Sequence, residues 1–505
     1  MSKERFKSKS GFILASIGAA VGLGNALRFP GLCAKYGGGS FLLIYFVALV
    51  VLGIPLLNAE IALGRRLKSG APDCMSGLTA RRRAGKTVGW ASCANSVITA
   101  IIYAGLAGWI ITTAFNIIPL SLNAAELTRD EIADDFFTRV LNSRADGVIS
   151  GFSLPVAGCI IAAWALMFIC LKGGAGSLAK AAKFTVAIPI TLLTVMACRG
   201  LLYENSGAAL SALFVPDFTQ LKSAELWITA LGQVFFSLSI VVGIMPVYGS
   251  YLPEGSNVFS CSLAVAAADF IVSVLASVAL FTTLYGCGLE NKIGESGIIT
   301  AFAVYPVAIT RLFGDIPWLN ALAGALFYSS LAMMSVQSAV SMLEAFISPY
   351  SAAYAKSKKK TVIKTCVCGA AASLIFSTTA APLICEVSDK FVNFYNVLAL
   401  GIAECVLIAL SRQTREICAE INKYARKKIL LSERLFTVSV KYLCPAVLIC
   451  LSIVEILRLA RYGLGYPVYV LVPFGVGLSV LVIGAAISLV FAQKNENIQK
   501  IPIIS

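Results

Sequence analysis

Gly18-Ala19-Ala20-Val21-Gly22-Leu23-Gly24-Asn25-Ala26-Leu27-Arg28-Phe29-Pro30 decides how the rest of this chain is read. It lies inside the apolar run 11–34, which is long enough for a membrane helix that should continue unbroken. Instead it places glycine at 18, 22 and 24, then Asn25, then Arg28. Each glycine costs a helix about 1 kcal/mol against alanine. Polar and charged side chains at bilayer depth are also expensive. Non-helical backbone is tolerated there only where it lines a cavity inside the protein. The stretch therefore reads as a broken helix whose freed carbonyls and N–H groups hold a ligand.

Outward from this break, the chain is apolar almost throughout. Of its 505 residues 58% are hydrophobic and 13% charged, the balance of a polytopic membrane protein embedded in a lipid bilayer. The apolar runs 11–34, 41–63, 87–120, 152–171, 184–202, 226–251, 259–285, 319–349, 361–382, 389–410, 435–459 and 467–491 predict twelve spans. A long loop, 286–318, is expected before the eighth. The net charge of +15 does not point to nucleic acid. Lysine and arginine gather at the N-terminus and in the loops after spans two, four, eight and ten, whereas the loop after span three is acidic. That asymmetry predicts cytoplasmic termini in a cell inner or plasma membrane. No Ala-x-Ala-like site follows a short apolar region, so no removable signal peptide is expected.

The chain contains no histidine, the commonest general base and metal ligand. With no Gly-x-Ser-x-Gly or phosphate loop in context, no catalytic constellation presents itself, and an enzyme is not expected. The 15 cysteines are scattered through apolar runs and read as packing residues of a reducing-side protein. Cys366-x-Cys368 is weak evidence for a metal.

Five spans after the first break, Ser237-Leu238-Ser239-Ile240-Val241-Val242-Gly243 interrupts span six. Close packing alone would explain serine and glycine there, but not Asn25 and Arg28 in span one. Interrupted spans at matching places point to two inverted five-helix repeats, 11–202 and 226–410, with the site between them. Two additional helices, 435–491, complete a single transmembrane domain.

The opening stretch, with Gly37-Gly38-Gly39, Gly53-Ile54-Pro55-Leu56, Glu60 and Gly64-Arg65, resembles the start of the neurotransmitter:sodium symporters. Gly232-Gln233-Val234-Phe235-Phe236-Ser237-Leu238-Ser239 resembles that family's sixth helix, and Tyr103 six residues before Trp109 its third. The resemblance implies an all-α LeuT fold with helices one and six broken, and sodium-coupled import of an amino acid by alternating access. It further implies that the substrate's amino group meets the carbonyls of Ala20 and Phe236 and the Ser239 hydroxyl. The carboxylate would meet the N–H groups of Leu23 and Gly24 and the Tyr103 hydroxyl, at the positive end of a half-helix. Thr99, Val242 and Met342 would line the side-chain pocket, beside Ser338. One sodium would be held by Ala20, Asn25, Ser237 and Asp269. A second would sit among Gly18, Val21, Met334, Gln337 and Ser338, hard oxygen donors suiting a hard cation. Arg28 and Asp389 match the pair that closes the outer vestibule.

This chain departs from the family pattern at three places. Gln337 replaces a small hydroxyl residue, which weakens the second sodium site. Asp269 stands where some members have asparagine beside a chloride, with Tyr45, Gln233, Ser237 and Ser273 matching the remaining anion-site positions. Chloride has a candidate site there, but the Asp269 charge makes it dispensable. Gly22 replaces the aspartate of monoamine carriers, which favours an amino acid that brings its own carboxylate. A substrate sensor, a transport-deficient receptor and a proton-coupled carrier on the same fold stay open, as do the particular amino acid and the oligomeric state. Glu60, Glu344 and Glu404 read as structural or gating acids, and Arg458 and Arg461 as side chains snorkelling outward.

Overall fold

The computed structural model describes residues 5–143, 147–286, 288, 297–314, 316–425 and 430–493. Lys3, Glu4, Asp146, the basic run 426–428 and most of 287–296 lie outside the described residues. Regular structure is helical, and the β-pairing among the described residues is limited to two isolated bridges.

Span one is a bent pair, α1 (Lys9–Ala20) and α2 (Gly24–Lys35), meeting at 51°. The continuous spans α3 (Gly39–Leu67), α4 (Arg82–Leu122), α5 (Leu154–Lys172) and α6 (Gly176–Gly200) follow. Span six is also in two pieces, α7 (Ala224–Ser237) and α8 (Ile244–Tyr251), on either side of residues 238–243. Next come α9 (Val258–Gly286), α10 (Pro317–Ala353), α11 (Lys358–Ser377), α12 (Ala381–Ser411), α13 (Glu433–Tyr462) and α14 (Val468–Phe491). Among the described residues, ten continuous spans and the two broken ones correspond to the expected twelve.

Two boundaries differ from the sequence reading. Pro382 does not end span nine. It sits in the first turn of α12, where a missing N–H costs nothing. Span five begins about two turns early, which places Lys180 and Lys183 on exposed helical positions and not in a loop. The expected loop 286–318 contains a helical segment, Thr300–Ile309. It roofs the first break: Tyr305 donates to the Ala26 carbonyl at 3.0 Å, and Phe302 stacks on Phe136 with ring centroids 4.5 Å apart.

The long helices α4 and α10 pack against each other over most of their length and form the centre of the molecule. Outer helices turn exposed Ile161, Phe184, Leu410, Leu435, Val480 and Phe491 outward, as a bilayer requires. Glycine permits the closest helix approach. A side chain at Gly64 would strike the Pro246 backbone, and one at Gly249 would strike Ile61, so α3 and α8 touch backbone to backbone. Beside that contact Arg65 is buried, its Nε 2.7 Å from Glu420 on the short helix Thr414–Asn422. It is thus a structural tie as well as an orienting charge.

Candidate functional site

The two broken helices meet at mid-span. Between α7 and α8 the backbone takes positive φ at Ser239 (52°), Val241 (71°) and Gly243 (77°). The two non-glycine residues there each cost roughly 1–3 kcal/mol and need outside support. Glu60 Oε1 accepts the Val241 N–H at 2.6 Å, and the Ser239 hydroxyl donates to the Ala19 carbonyl at 3.0 Å. Ser96 donates to the Val242 carbonyl. Glu60 therefore supports the opened turn, a role its position near the end of span two did not specify.

Asn25, Tyr45, Ser237, Asp269 and Ser273 converge in one fully enclosed cluster. The Asn25 amide donates to Asp269 Oδ1 at 2.7 Å, Ser273 Oγ at 2.8 Å and Ser237 Oγ at 3.1 Å, while its oxygen accepts the Gly22 N–H at 3.0 Å. Ser237 donates to Asp269 Oδ1 at 2.6 Å and Tyr45 to Oδ2 at 2.9 Å. Both carboxylate oxygens are thus engaged. The cluster combines one negative charge with neutral oxygens, the donor set that fits a small hard cation. It contains the Asn25, Ser237 and Asp269 of the expected first sodium site, next to buried Ala20. Of the candidate anion-site residues, Tyr45, Ser237 and Ser273 join it. Gln233 stands apart, its amide 3.4 Å from the Gly24 carbonyl and its oxygen without a partner.

The second expected site has a different character. Gln337 is 1% exposed, and neither its amide nitrogen nor its oxygen has a hydrogen-bond partner. The adjacent Ser338 hydroxyl is also unpartnered. Both press on the break in span one. A methyl group at Gly18 would lie 3.0 Å from Gln337 Cγ, and one at Gly22 would lie 2.5 Å from Ser338 Oγ. Buried polar atoms without partners are costly, so these orphans fit residues held ready for a ligand. Met334 is buried one turn away, and Val21 flanks the same break.

Above the break a cavity of about 640 Å³ opens, with Leu23, Gly24, Arg28, Tyr103, Phe236 and Asp389 on its wall. At the cavity floor the Asn25 and Ala26 N–H groups donate to the Gly22 carbonyl, at 3.1 and 3.4 Å. Leu23 and Gly24 lie on the cavity wall at the N-terminal end of α2, where a helix exposes its N–H groups. Thr99, Val242 and Met342, expected at the side-chain pocket beside Ser338, and Ser239, expected at the amino group, are all buried and do not reach the cavity wall. Arg28 and Asp389 face each other at 4.0 Å, and the Arg28 guanidinium lies 4.8 Å over the Phe236 ring. Arg458 does not snorkel: it forks onto Glu455 at 2.6 and 2.8 Å at the cavity mouth. Cys366 is buried and Cys368 exposed, and the described cysteines are free thiols.

A multi-pass helical membrane protein whose two broken spans enclose a buried, oxygen-rich polar cluster beneath an open vestibule is built as a transporter. The family model for the sodium:neurotransmitter symporters matches residues 3–128 and 120–495, and the chain belongs to that family, whose members are transporters and not enzymes. It is 29% identical over 441 residues to an uncharacterised sodium-dependent transporter of Methanocaldococcus jannaschii, covering 85% of this chain and 86% of that protein. The mouse sodium-dependent neutral amino acid transporter B(0)AT3 is 29% identical over 331 residues, 61% of this chain and 53% of the mouse protein. The crystal structure of MhsT in complex with L-phenylalanine shares the fold, with a TM-score of 0.77 at 23% identity, covering 90% of this chain and 99% of that one.

Proposed function

We propose that this sodium-coupled symporter imports an amino acid by alternating access, with both termini in the cytoplasm. The cavity carries the reading: Leu23, Gly24 and Tyr103 share its wall directly above the Asn25–Ser237–Asp269 cluster. Half-helix N–H groups and a phenol suit a carboxylate, and a carboxylate there brings negative charge toward the first cation. Gly22 leaves that charge to the substrate, which favours an amino acid over a monoamine. When sodium is bound, it lends positive charge to the floor on which the carboxylate rests. Asn25, Ser237 and Asp269 would hold the first ion, and Gln337 and Ser338 a second. Asp269 supplies the fixed negative charge, so chloride is not required. The two five-helix units span 11–202 and 226–410.

Uptake of radiolabelled amino acids into proteoliposomes, with and without a sodium gradient, tests this reading. Uptake of at least one amino acid that collapses with the gradient is expected; none across the panel refutes it. Gln337 favours one second reading, a substrate sensor with altered ion coupling, which would bind an amino acid in sodium without accumulating it.

A further inference from the structure

Asn393 is absent from the expected site, yet it touches both ends of it. Its Nδ2 donates to Asp389 Oδ1 at 2.7 Å, and its Oδ1 lies 2.9 Å from Thr99 Oγ1. Asp389 is the acid of the outer pair, and Thr99 is the polar wall expected beside the substrate's side chain. Asp389 and Asn393 are four apart on α12, so they share a helix face. The helix widens to a π-type turn over Phe391–Asn396, a distortion frequent at functional sites. Two more amides fix this turn on α4. Asn95 Nδ2 donates to the Val392 carbonyl at 3.0 Å, and Asn396 Nδ2 donates to Asn95 Oδ1 at 3.0 Å.

Asp389 is shared unequally. Its Oδ1 is bonded to Asn393, whereas its Oδ2 stands 4.0 Å from Arg28, beyond hydrogen-bond reach. Arg28 Nη1 is buried and has no hydrogen-bond partner. The Asn393 amide therefore holds the acid that Arg28 lacks. The Thr99 hydroxyl has one proton and two acceptors within reach, Asn393 Oδ1 at 2.9 Å and the Asn95 carbonyl at 3.0 Å. Such a hydroxyl has two discrete arrangements, the kind of element through which two sites can be coupled.

We propose that Asn393 is a positioning residue linking the side-chain pocket to the outer gate. With the Thr99 proton on Asn393, the amide is oriented and keeps Asp389 away from Arg28. Thr99 is closed off from the cavity in this structure, so a substrate side chain must part the cavity floor to pack against it; doing so turns the hydroxyl to Asn95. The amide is then free to rotate, and Asp389 moves onto Arg28 over the bound substrate. Substrates are thus selected by whether their side chain reaches Thr99, and the inference rests on the amino-acid reading of the site.

The test measures association and dissociation of radiolabelled amino acids on the purified full chain in sodium. Asn393→Ala should slow both rates roughly two- to tenfold, the weight of one net hydrogen bond, because the gate pair closes without waiting for the pocket. A merely structural role would weaken affinity without slowing association. Thr99→Val should reproduce part of the slowing in the native chain and add nothing in the Asn393→Ala background. Unchanged association in Asn393→Ala, or full multiplication of the two effects, overturns the link. If no amino acid binds the native chain, the substrate reading fails by itself. The link is then read from substrate-free structures of the native chain and Asn393→Ala. Contraction of the Arg28–Asp389 pair to hydrogen-bond distance in the variant supports it, and an unchanged separation overturns it.

Discussion

The two expected cation sites adjoin the same broken helix, and they are built oppositely. At the first, both oxygens of Asp269 and both ends of the Asn25 amide are hydrogen-bonded within the chain. At the second, three polar atoms of Gln337 and Ser338 are buried without partners. An internally satisfied cluster keeps its shape whether or not an ion is bound. An unsatisfied one carries a desolvation cost that a ligand relieves, so its occupancy should register in stability. One site is pre-organised around a charge, and the other depends on its guest.

The sharpest way to break this comparison is to remove the charge. Asp269→Ala strips a buried carboxylate from its donors, and losing one partner of a buried charged pair costs about 3–5 kcal/mol. The sodium concentration for half-maximal substrate binding should rise by roughly 100-fold or more. A sodium titration near the native midpoint would remove Asp269 from the cation site. Asp269→Asn should recover part of the loss when chloride is present, since Tyr45 and Ser273 remain as donors.

Tyr103→Phe touches neither cation site and should leave the sodium midpoint in place. It removes one hydrogen bond to a charged group, worth about 1.5–3 kcal/mol, so amino-acid affinity should fall roughly 10- to 100-fold. An unaltered Kd would take Tyr103 out of the carboxylate site.

Gln337 sharpens the contrast from the other side. Gln337→Met keeps the volume and removes the orphaned amide, so the sodium-free protein should gain about 1–3 kcal/mol in thermal unfolding. The stabilisation that sodium gives the native chain should shrink in that variant. Gln337→Thr should instead steepen the sodium dependence of binding. If neither variant alters the sodium response, residue 337 is not a ligand. The smallest effect belongs to chloride: replacing it with gluconate should leave uptake unchanged, because Asp269 already supplies the negative charge. Abolished uptake would reverse that assignment.

Much of this was legible in the linear chain because membrane depth makes local exceptions expensive. Glycine at 18, 22 and 24, together with Asn25 and Arg28, announced the first break. Positive φ at Ser239, Val241 and Gly243 followed where hydroxyls and glycine interrupted span six. Asp269 was conspicuous as an acid inside an apolar run. In each case a few residues contradict their own neighbourhood, and the physics of the bilayer makes that contradiction readable.

What the tertiary structure alone decided is which of these residues satisfy one another. Glu60 supports Val241 across 181 positions, and Thr99 reaches Asn393 across 294. Ser239, expected to face the substrate, gives its proton to Ala19. Gln337, a doubtful ligand in the sequence, is left with unpartnered atoms at the break. A sequence states which polar groups must be compensated inside the membrane. It does not state by whom, because a hydrogen bond is fixed by distance and angle between helices whose packing belongs to the whole chain.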